Sequence, residues 1–202
     1  MKLYFSPGAC SLSPHIVLQE AGLAHEKERV DLKTKKTESG GDFLQVNPKG
    51  MVPTLVLDDG SALTEGPAIV QYLADKAPAA GLAPANGTIE RTQLQEWLNY
   101  ISTELHKGFS PLFNPTMPED GKKVAKEALV KRLDWLNGEM AKRDWIAGKT
   151  FSVADAYAFT VLNWTKFVGL DLATWPNLAA FSKRVGARPK VQEALKAEGL
   201  MK

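Results

Sequence analysis

The 202-residue chain has a single cysteine, Cys10, which excludes an intramolecular disulfide and any Cys-x-x-Cys zinc or redox pair. A lone thiol suits a reducing compartment, and the cytoplasm is the expected location. Long apolar runs are missing as well. The longest stretch without a charged residue, 3–19, is interrupted by Pro7, Gly8 and Pro14, so neither a spanning helix nor a signal-peptide core is expected. Neither sign of charge is in excess: 25 Lys and Arg face 23 Asp and Glu, a net charge of +2, which points away from nucleic acid and membrane surfaces as partners. The histidines at 15, 25 and 106 have no metal-ligand spacing, so no metal is expected. Gly-x-Ser-x-Gly and dinucleotide fingerprints are absent. Gly148-Lys149-Thr150 lacks the upstream glycine of a phosphate loop, because position 143 is Arg.

What is present is an ordinary globular composition, 44% hydrophobic and 24% charged. Residues 77–88, APAAGLAPANGT, have linker composition and divide two periodic regions. The expected domains are 1–80, a linker at 81–88, and 89–202. The first region alternates short apolar runs with helical patterns: Leu3 to Phe5, Leu12 to Ala21, Val30 to Leu32, and a short helical segment around Phe43-Leu44. A βαβ unit is the natural reading. Val52 to Leu57 and Ala62 to Thr64 flank Asp58-Asp59-Gly60 and read as a hairpin, with a helix over Pro67 to Asp75 after it. This order is that of an α/β thioredoxin-like domain. The second region reads as all-α. Leu94, Leu98, Ile101 and Leu105 form one helical stripe, and Leu129, Leu133, Leu136 and Met140 another. From Val153 to Val168 apolar residues, Phe167 among them, fall on every side, the pattern of a central buried helix, with Ser152 and Asp155 spaced as its capping box.

Four places could carry chemistry. Cys10 lies between the first strand and a helix starting near Ser11, where terminal amides favour a thiolate; a small buried hydrophobe would sit there equally well. Val52-Pro53, at the opening of a strand, is a candidate cis bond that would leave the Val52 backbone open to an extended peptide, or else an edge-strand proline. Glu65 with Gly66-Pro67 at a helix start suits a ligand carrying both an ammonium and a carboxylate, although acids near helix starts also arise from the dipole alone. Asn99, Thr103 and His106 follow i, i+4, i+7 opposite the Leu94 stripe, as a solvated face also would.

Taken together, Ser6-Pro7-Gly8-Ala9-Cys10-Ser11, Asn47-Pro48-Lys49-Gly50, Val52-Pro53, Leu63-Thr64-Glu65, Glu104-Leu105-His106-Lys107 and Phe151-Ser152-Val153-Ala154-Asp155 resemble the beta-class bacterial glutathione S-transferases, in register from Met1 to about Leu200. The resemblance implies a thioredoxin-like glutathione-binding domain followed by an all-helical domain contributing the electrophile site, in a cytoplasmic homodimer. It implies glutathione as co-substrate, a small hydrophobic electrophile as partner, and a detoxification role by conjugation, reduction or dehalogenation. Carried over residue by residue, Cys10 becomes the active-site cysteine capable of a mixed disulfide. Lys35 lies near the glycine carboxylate, Val52 pairs with the cysteinyl unit, and Glu65 with Gly66 holds the γ-glutamyl end. Asn99, Thr103, Glu104, Leu105 and His106 belong to the glutathione-binding helix, His106 also being catalytic, while Lys107 and Trp164 line the electrophile pocket. Pro53, Ser152 and Asp155 are structural.

One departure is Gly66, where many relatives carry Ser or Thr; the backbone amide remains and a hydroxyl is lost. Tyr4 and Ser11 resemble the hydroxyl donors of other transferase classes and are rival thiolate stabilisers. The alternative function is a non-catalytic ligand-binding or regulatory protein on the same fold, against which stand Cys10, Lys35, Val52-Pro53 and Glu65 together.

Overall fold

Strand β1 (Lys2–Phe5) alternates, with Leu3 and Phe5 buried, and it runs through the middle of a five-stranded mixed sheet. It pairs in parallel with β2 (Glu26–Asp31) and antiparallel with β4 (Thr54–Val56), Leu3 facing Leu55. Beyond β4 lies β5 (Ala62–Thr64), and beyond β2 lies β3 (Lys36–Thr37), giving the order β3-β2-β1-β4-β5. The computed structural model describes residues 1–201.

The parallel pair requires a crossover, supplied by α1 (Leu12–Glu20), whose residues from Leu12 to Leu18 are all buried. The β4–β5 hairpin closes at Asp58-Asp59-Gly60, as its Asp-Gly signal demands. Gly60 takes φ +84°, and Asp59 Oδ1 accepts from the Ser61 amide at 2.9 Å and the Ser61 hydroxyl at 2.6 Å. Helix α2 (Gly66–Lys76) follows, burying Ile69, Val70 and Leu73.

The expected helix around Phe43-Leu44 is a single 3-10 turn, Phe43–Gln45, with Asp42 Oδ1 accepting the Leu44 amide at its start. Strand β3 was not expected. Two residues, Lys36 and Thr37, carry no apolar alternation, and the pairing of Val30 with Thr37 is a tertiary choice.

The chain gathers into two compact units. One is Met1–Ala83 together with Ala187–Lys202, and the other is Pro84–Gly186. The residues after the linker do not all stay in the helical unit expected over 89–202: α8 (Pro189–Ala197) packs on α1 of the first unit. Periodicity shows that α8 has an apolar face, Val191 and Ala194, but not what that face covers. Two polar clasps hold this return. Arg188 makes a bidentate pair with Glu20 at 2.7 and 2.8 Å. Glu198, buried, accepts from the Gly8 amide at 2.9 Å and bonds His15 Nδ1 at 2.8 Å, while the Leu200 side chain lies over Gly8.

The second unit contains α3 (Ile89–Tyr100), a π-helical turn (Ile101–His106), α4 (Lys107–Phe113), α5 (Glu119–Met140), α6 (Val153–Leu162) and α7 (Pro176–Gly186). Both leucine stripes are buried, Leu94, Leu98, Ile101 and Leu105 on one side and Leu129, Leu133, Leu136 and Met140 on the other. Every residue of α6 is buried, which makes it the core of this unit. It stops at Leu162, however. A 3-10 turn over Thr165–Val168 ends at Gly169 in the left-handed conformation, and Phe167 is 66% exposed rather than part of the core.

The capping box at the start of α6 forms, and its acid reaches further than the box requires. Asp155, fully buried, accepts from the Ser152 amide at 2.7 Å, the Ser152 hydroxyl at 2.8 Å and the Ile146 amide at 2.7 Å. Burial pushes its carboxyl up to about 6, the three donors pulling the other way. Among the described residues no helix is long and apolar enough to cross a membrane.

Candidate functional site

The turn after β1 carries Cys10. Ala9 N–H donates to the Ser6 carbonyl at 3.0 Å and Leu12 N–H to that of Ala9 at 3.0 Å; Gly8, at φ +71°, supplies the left-handed step a side chain would strain. Ser11 occupies the N-cap position of α1 without capping it. Its hydroxyl is spent on Ser6, accepting from the amide at 3.1 Å and donating to the carbonyl at 3.2 Å, and the residue is fully buried. Ser11 therefore staples the turn and is removed as a rival thiolate stabiliser. The other rival, Tyr4, lays its half-buried ring against Phe43 at 5.5 Å.

Val52-Pro53 is a cis bond, and the Val52 carbonyl is already engaged: Cys10 Sγ donates to it across 3.1 Å. The surroundings of Cys10 run against a thiolate. The amides of Cys10 and Ser11 do favour the anion, as the helix-start argument requires, but burial outweighs them and the Glu65 charge adds to it, pushing the thiol up to about 11. Cys10 is a neutral donor here.

Glu65 sits between β5 and α2 at φ +69°, a region a non-glycine residue occupies only when its surroundings compel it. Gly66 and Pro67 open the helix behind it; because proline has no amide hydrogen, Gly66 supplies the terminal N–H. The Glu65 carboxylate is paired with Lys49 Nζ at 2.8 Å. Lys35, at φ +57°, donates its ammonium to the Gly50 carbonyl at 2.8 Å. Cys10, Val52, Pro53, Lys35, Glu65 and Gly66 thus all belong to the first unit, with Lys49 beside them. Lys49 lies in the Asn47-Pro48-Lys49-Gly50 turn, and its pairing with Glu65 is a tertiary contact that spacing does not reveal.

The residues expected on one helix face behave differently in the second unit. The turn from Ile101 to His106 is π-helical, so the 3.6-residue spacing that aligned Asn99, Thr103 and His106 breaks between them. Thr103 Oγ1 donates to the Asn99 carbonyl at 3.1 Å, and both residues are exposed. Glu104 is held by Arg132 Nε at 2.7 Å. Leu105 is fully buried, so its side chain is core and cannot touch a ligand. His106 bonds the Tyr157 hydroxyl through Nδ1 at 2.6 Å and meets Trp164 edge-on at 4.8 Å. Trp164, buried, also contacts Phe109 and Phe113, which is 47% exposed. Tyr157 and Phe113 were not foreseen as neighbours of His106 and Trp164, and Lys107 is exposed at the start of α4. Among the described residues no group of three or more His, Cys, Asp or Glu side chains converges on a metal position.

Residues 8–76 match a family model described as the glutathione S-transferase N-terminal domain, and residues 100–189 match the C-terminal domain of the same family. The chain is 51% identical over 200 residues to glutathione S-transferase GstA of Escherichia coli O157:H7, covering 99% of this chain and all of that protein. A sphingomonad glutathione S-transferase solved in complex with glutathione superposes with a TM-score of 0.97 at 50% identity, covering 99% of this chain and 100% of the other. The beta-class glutathione S-transferase of Sphingomonas chungbukensis gives the same TM-score, 0.97, and the same identity, 50%, over 100% of both chains.

Proposed function

The chain belongs to the glutathione S-transferase family, in its bacterial beta class, and from that premise we propose that it binds glutathione in the first unit and joins it to, or uses it to reduce or dehalogenate, small hydrophobic electrophiles. The observation that carries the reading is the Cys10 thiol donating to the carbonyl of Val52, before the cis Pro53, in the unit that also holds Glu65 at a helix start. An extended peptide pairing with the Val52 backbone competes for that carbonyl. When the cysteinyl unit of glutathione takes it, the Cys10 S–H is released and can donate to the glutathione sulfur instead. A neutral thiol is suited to that task. It stabilises the developing thiolate of glutathione without competing as a nucleophile, and the conjugating attack belongs to glutathione.

Exchange is the second use of the same sulfur. The Cys10 sulfur attacks one sulfur of a glutathione disulfide, the sulfur–sulfur bond breaks, and the Cys10 proton passes to the departing glutathione thiolate, leaving a mixed disulfide. Lys35 serves the glycine carboxylate, Glu65 the γ-glutamyl ammonium and the Gly66 amide its carboxylate. Asn99 and Thr103 are exposed for a bound ligand, and His106, Lys107 and Trp164 line the electrophile pocket, with Phe113 added to it. Detoxification in the cytoplasm, as a homodimer, completes the proposal.

Glutathione-affinity retention tests the reading. The purified chain should bind immobilised glutathione and elute with free glutathione; flow-through at neutral pH would overturn glutathione binding and favour a ligand-binding or regulatory role. Loss of the hydroxyl at Gly66 removes one hydrogen bond to a charged group, worth about 1.5–3 kcal/mol at most. Gly66→Ser is therefore expected to tighten glutathione binding by roughly tenfold in calorimetry, with an unchanged or weaker affinity counting against a γ-glutamyl site there.

A further inference from the structure

The turn Asn47-Pro48-Lys49-Gly50 is built more firmly than a surface loop needs. Asn47, buried, sends Nδ2 to the Met51 carbonyl at 2.8 Å and to Thr54 Oγ1 at 2.9 Å; its Oδ1 accepts the Lys49 amide at 3.1 Å, and its carbonyl accepts the Gly50 amide at 2.8 Å. Gly50 adopts φ +62°, and its carbonyl is held by Lys35. The outcome is a fixed backbone for one exposed lysine. Lys49 Nζ reaches the end of β5 and donates to Thr64 Oγ1 at 3.1 Å and Glu65 Oε1 at 2.8 Å.

The acceptors Lys49 uses are chemically those a ligand's primary ammonium would use, a carboxylate and a hydroxyl oxygen meeting one cationic sp³ nitrogen, at the start of a helix whose terminal amide is Gly66. We propose that Lys49 is a resident counter-ion for Glu65, the stand-in that the γ-glutamyl ammonium must displace, so that it sets glutathione affinity and rejects ligands whose amino group is blocked. This rests on the glutathione reading of the site. In the ligand-free chain the pair neutralises a carboxylate held at a strained φ. On binding, Glu65 exchanges one ammonium for another, and Lys49 is released to solvent or to the ligand's own carboxylate.

The pair is 54% and 70% exposed on its two side chains, which limits the cost of displacement to roughly 1.5- to 5-fold in affinity. Calorimetry at 0.15 M NaCl, where longer-range attraction between Lys49 and an anionic ligand is screened, measures it. The probes are glutathione and its α-N-acetyl derivative, titrated into the full chain as wild type, Lys49→Met and Lys49→Arg. Lys49→Met is expected to lower the Kd for glutathione about 1.5- to 5-fold and to leave that for the N-acetyl derivative unchanged or raised; Lys49→Arg, which keeps the counter-ion, should stay near wild type. An unchanged or higher Kd for glutathione in Lys49→Met, or an equal gain with the N-acetyl derivative, overturns the counter-ion role alone. Wild type that binds no glutathione overturns the reading of the site and this role with it.

Discussion

Replacing Asp155 by alanine should lower the free energy of unfolding by about 3–5 kcal/mol, the largest stability effect expected of any single polar side chain in the second unit. Three donors lose their acceptor at once, the Ile146 amide, the Ser152 amide and the Ser152 hydroxyl, in a place water does not reach. Each stranded donor costs about 1–3 kcal/mol, and relief of the buried charge offsets part of the sum. For a chain of this length the midpoint of thermal unfolding should fall by roughly 10 °C. The pH dependence carries a sign. Because burial raises this carboxyl from 3.8 to about 6, the folded chain binds the proton more tightly than the unfolded one. The contribution of Asp155 is therefore fully present below pH 4 and declines as pH rises through about 6. The gap between wild type and Asp155→Ala should accordingly be wider at pH 4 than at pH 7 in denaturant titrations. A gap that widens toward neutral pH would show that the three donors outweigh burial.

Replacing Cys10 by alanine should abolish covalent capture of glutathione and reduce thiol–disulfide exchange by at least about a hundredfold, to the level of the uncatalysed reaction. With one cysteine in the chain, intact-protein mass spectrometry after incubation with oxidised glutathione has a single readout: one glutathionyl group on wild type and none on Cys10→Ala. Retained exchange in the variant would overturn the redox use of Cys10. The protonation state of the ligand-free thiol is separately accessible. A thiol pushed up to about 11 by burial should alkylate about tenfold faster per pH unit from pH 7 to 10, with no plateau. A plateau below pH 8 would mean that the amides of Cys10 and Ser11 win after all.

These two residues mark the two kinds of legibility in this chain. Asp155 was readable because a capping box is a local pattern, four residues long, followed by an apolar run. The same holds for the β4–β5 hairpin, signalled by Asp-Gly, and for the leucine stripes of α3 and α5, whose period records the buried face directly. The placement of Cys10 after the first strand was equally local. Its ionisation was not, because the balance between helix-start amides and burial depends on what closes over the thiol and on the charge of Glu65, far along the chain. The common face of Asn99, Thr103 and His106 and the burial of Phe167 failed for a related reason. One π turn shifts the register of a helix face, and a helix that ends at Leu162 leaves an aromatic in solvent that a longer one would have buried. Lys49 was visible in its motif, while its partner Glu65, brought near by the hairpin, could not be read from spacing. The resemblance supplied roles that no spacing could, and Gly66 shows where such roles must be checked against the residue present.

The return of Ala187–Lys202 to the first unit has a consequence for biosynthesis. A ribosome delivers the whole of Pro84–Gly186 before it delivers Glu198, yet Glu198 is the buried partner of both His15 and the Gly8 amide in the turn that carries Cys10. A nascent chain thus has its sheet and its sulfur turn available early while the apolar surface of α1 and the imidazole of His15 still await their cover. The helical unit, contiguous in sequence, has every residue it needs to close first. Vectorial synthesis therefore makes maturation of the thiol-bearing turn wait for the helical unit, because the cover of that turn is delivered only after Pro84–Gly186.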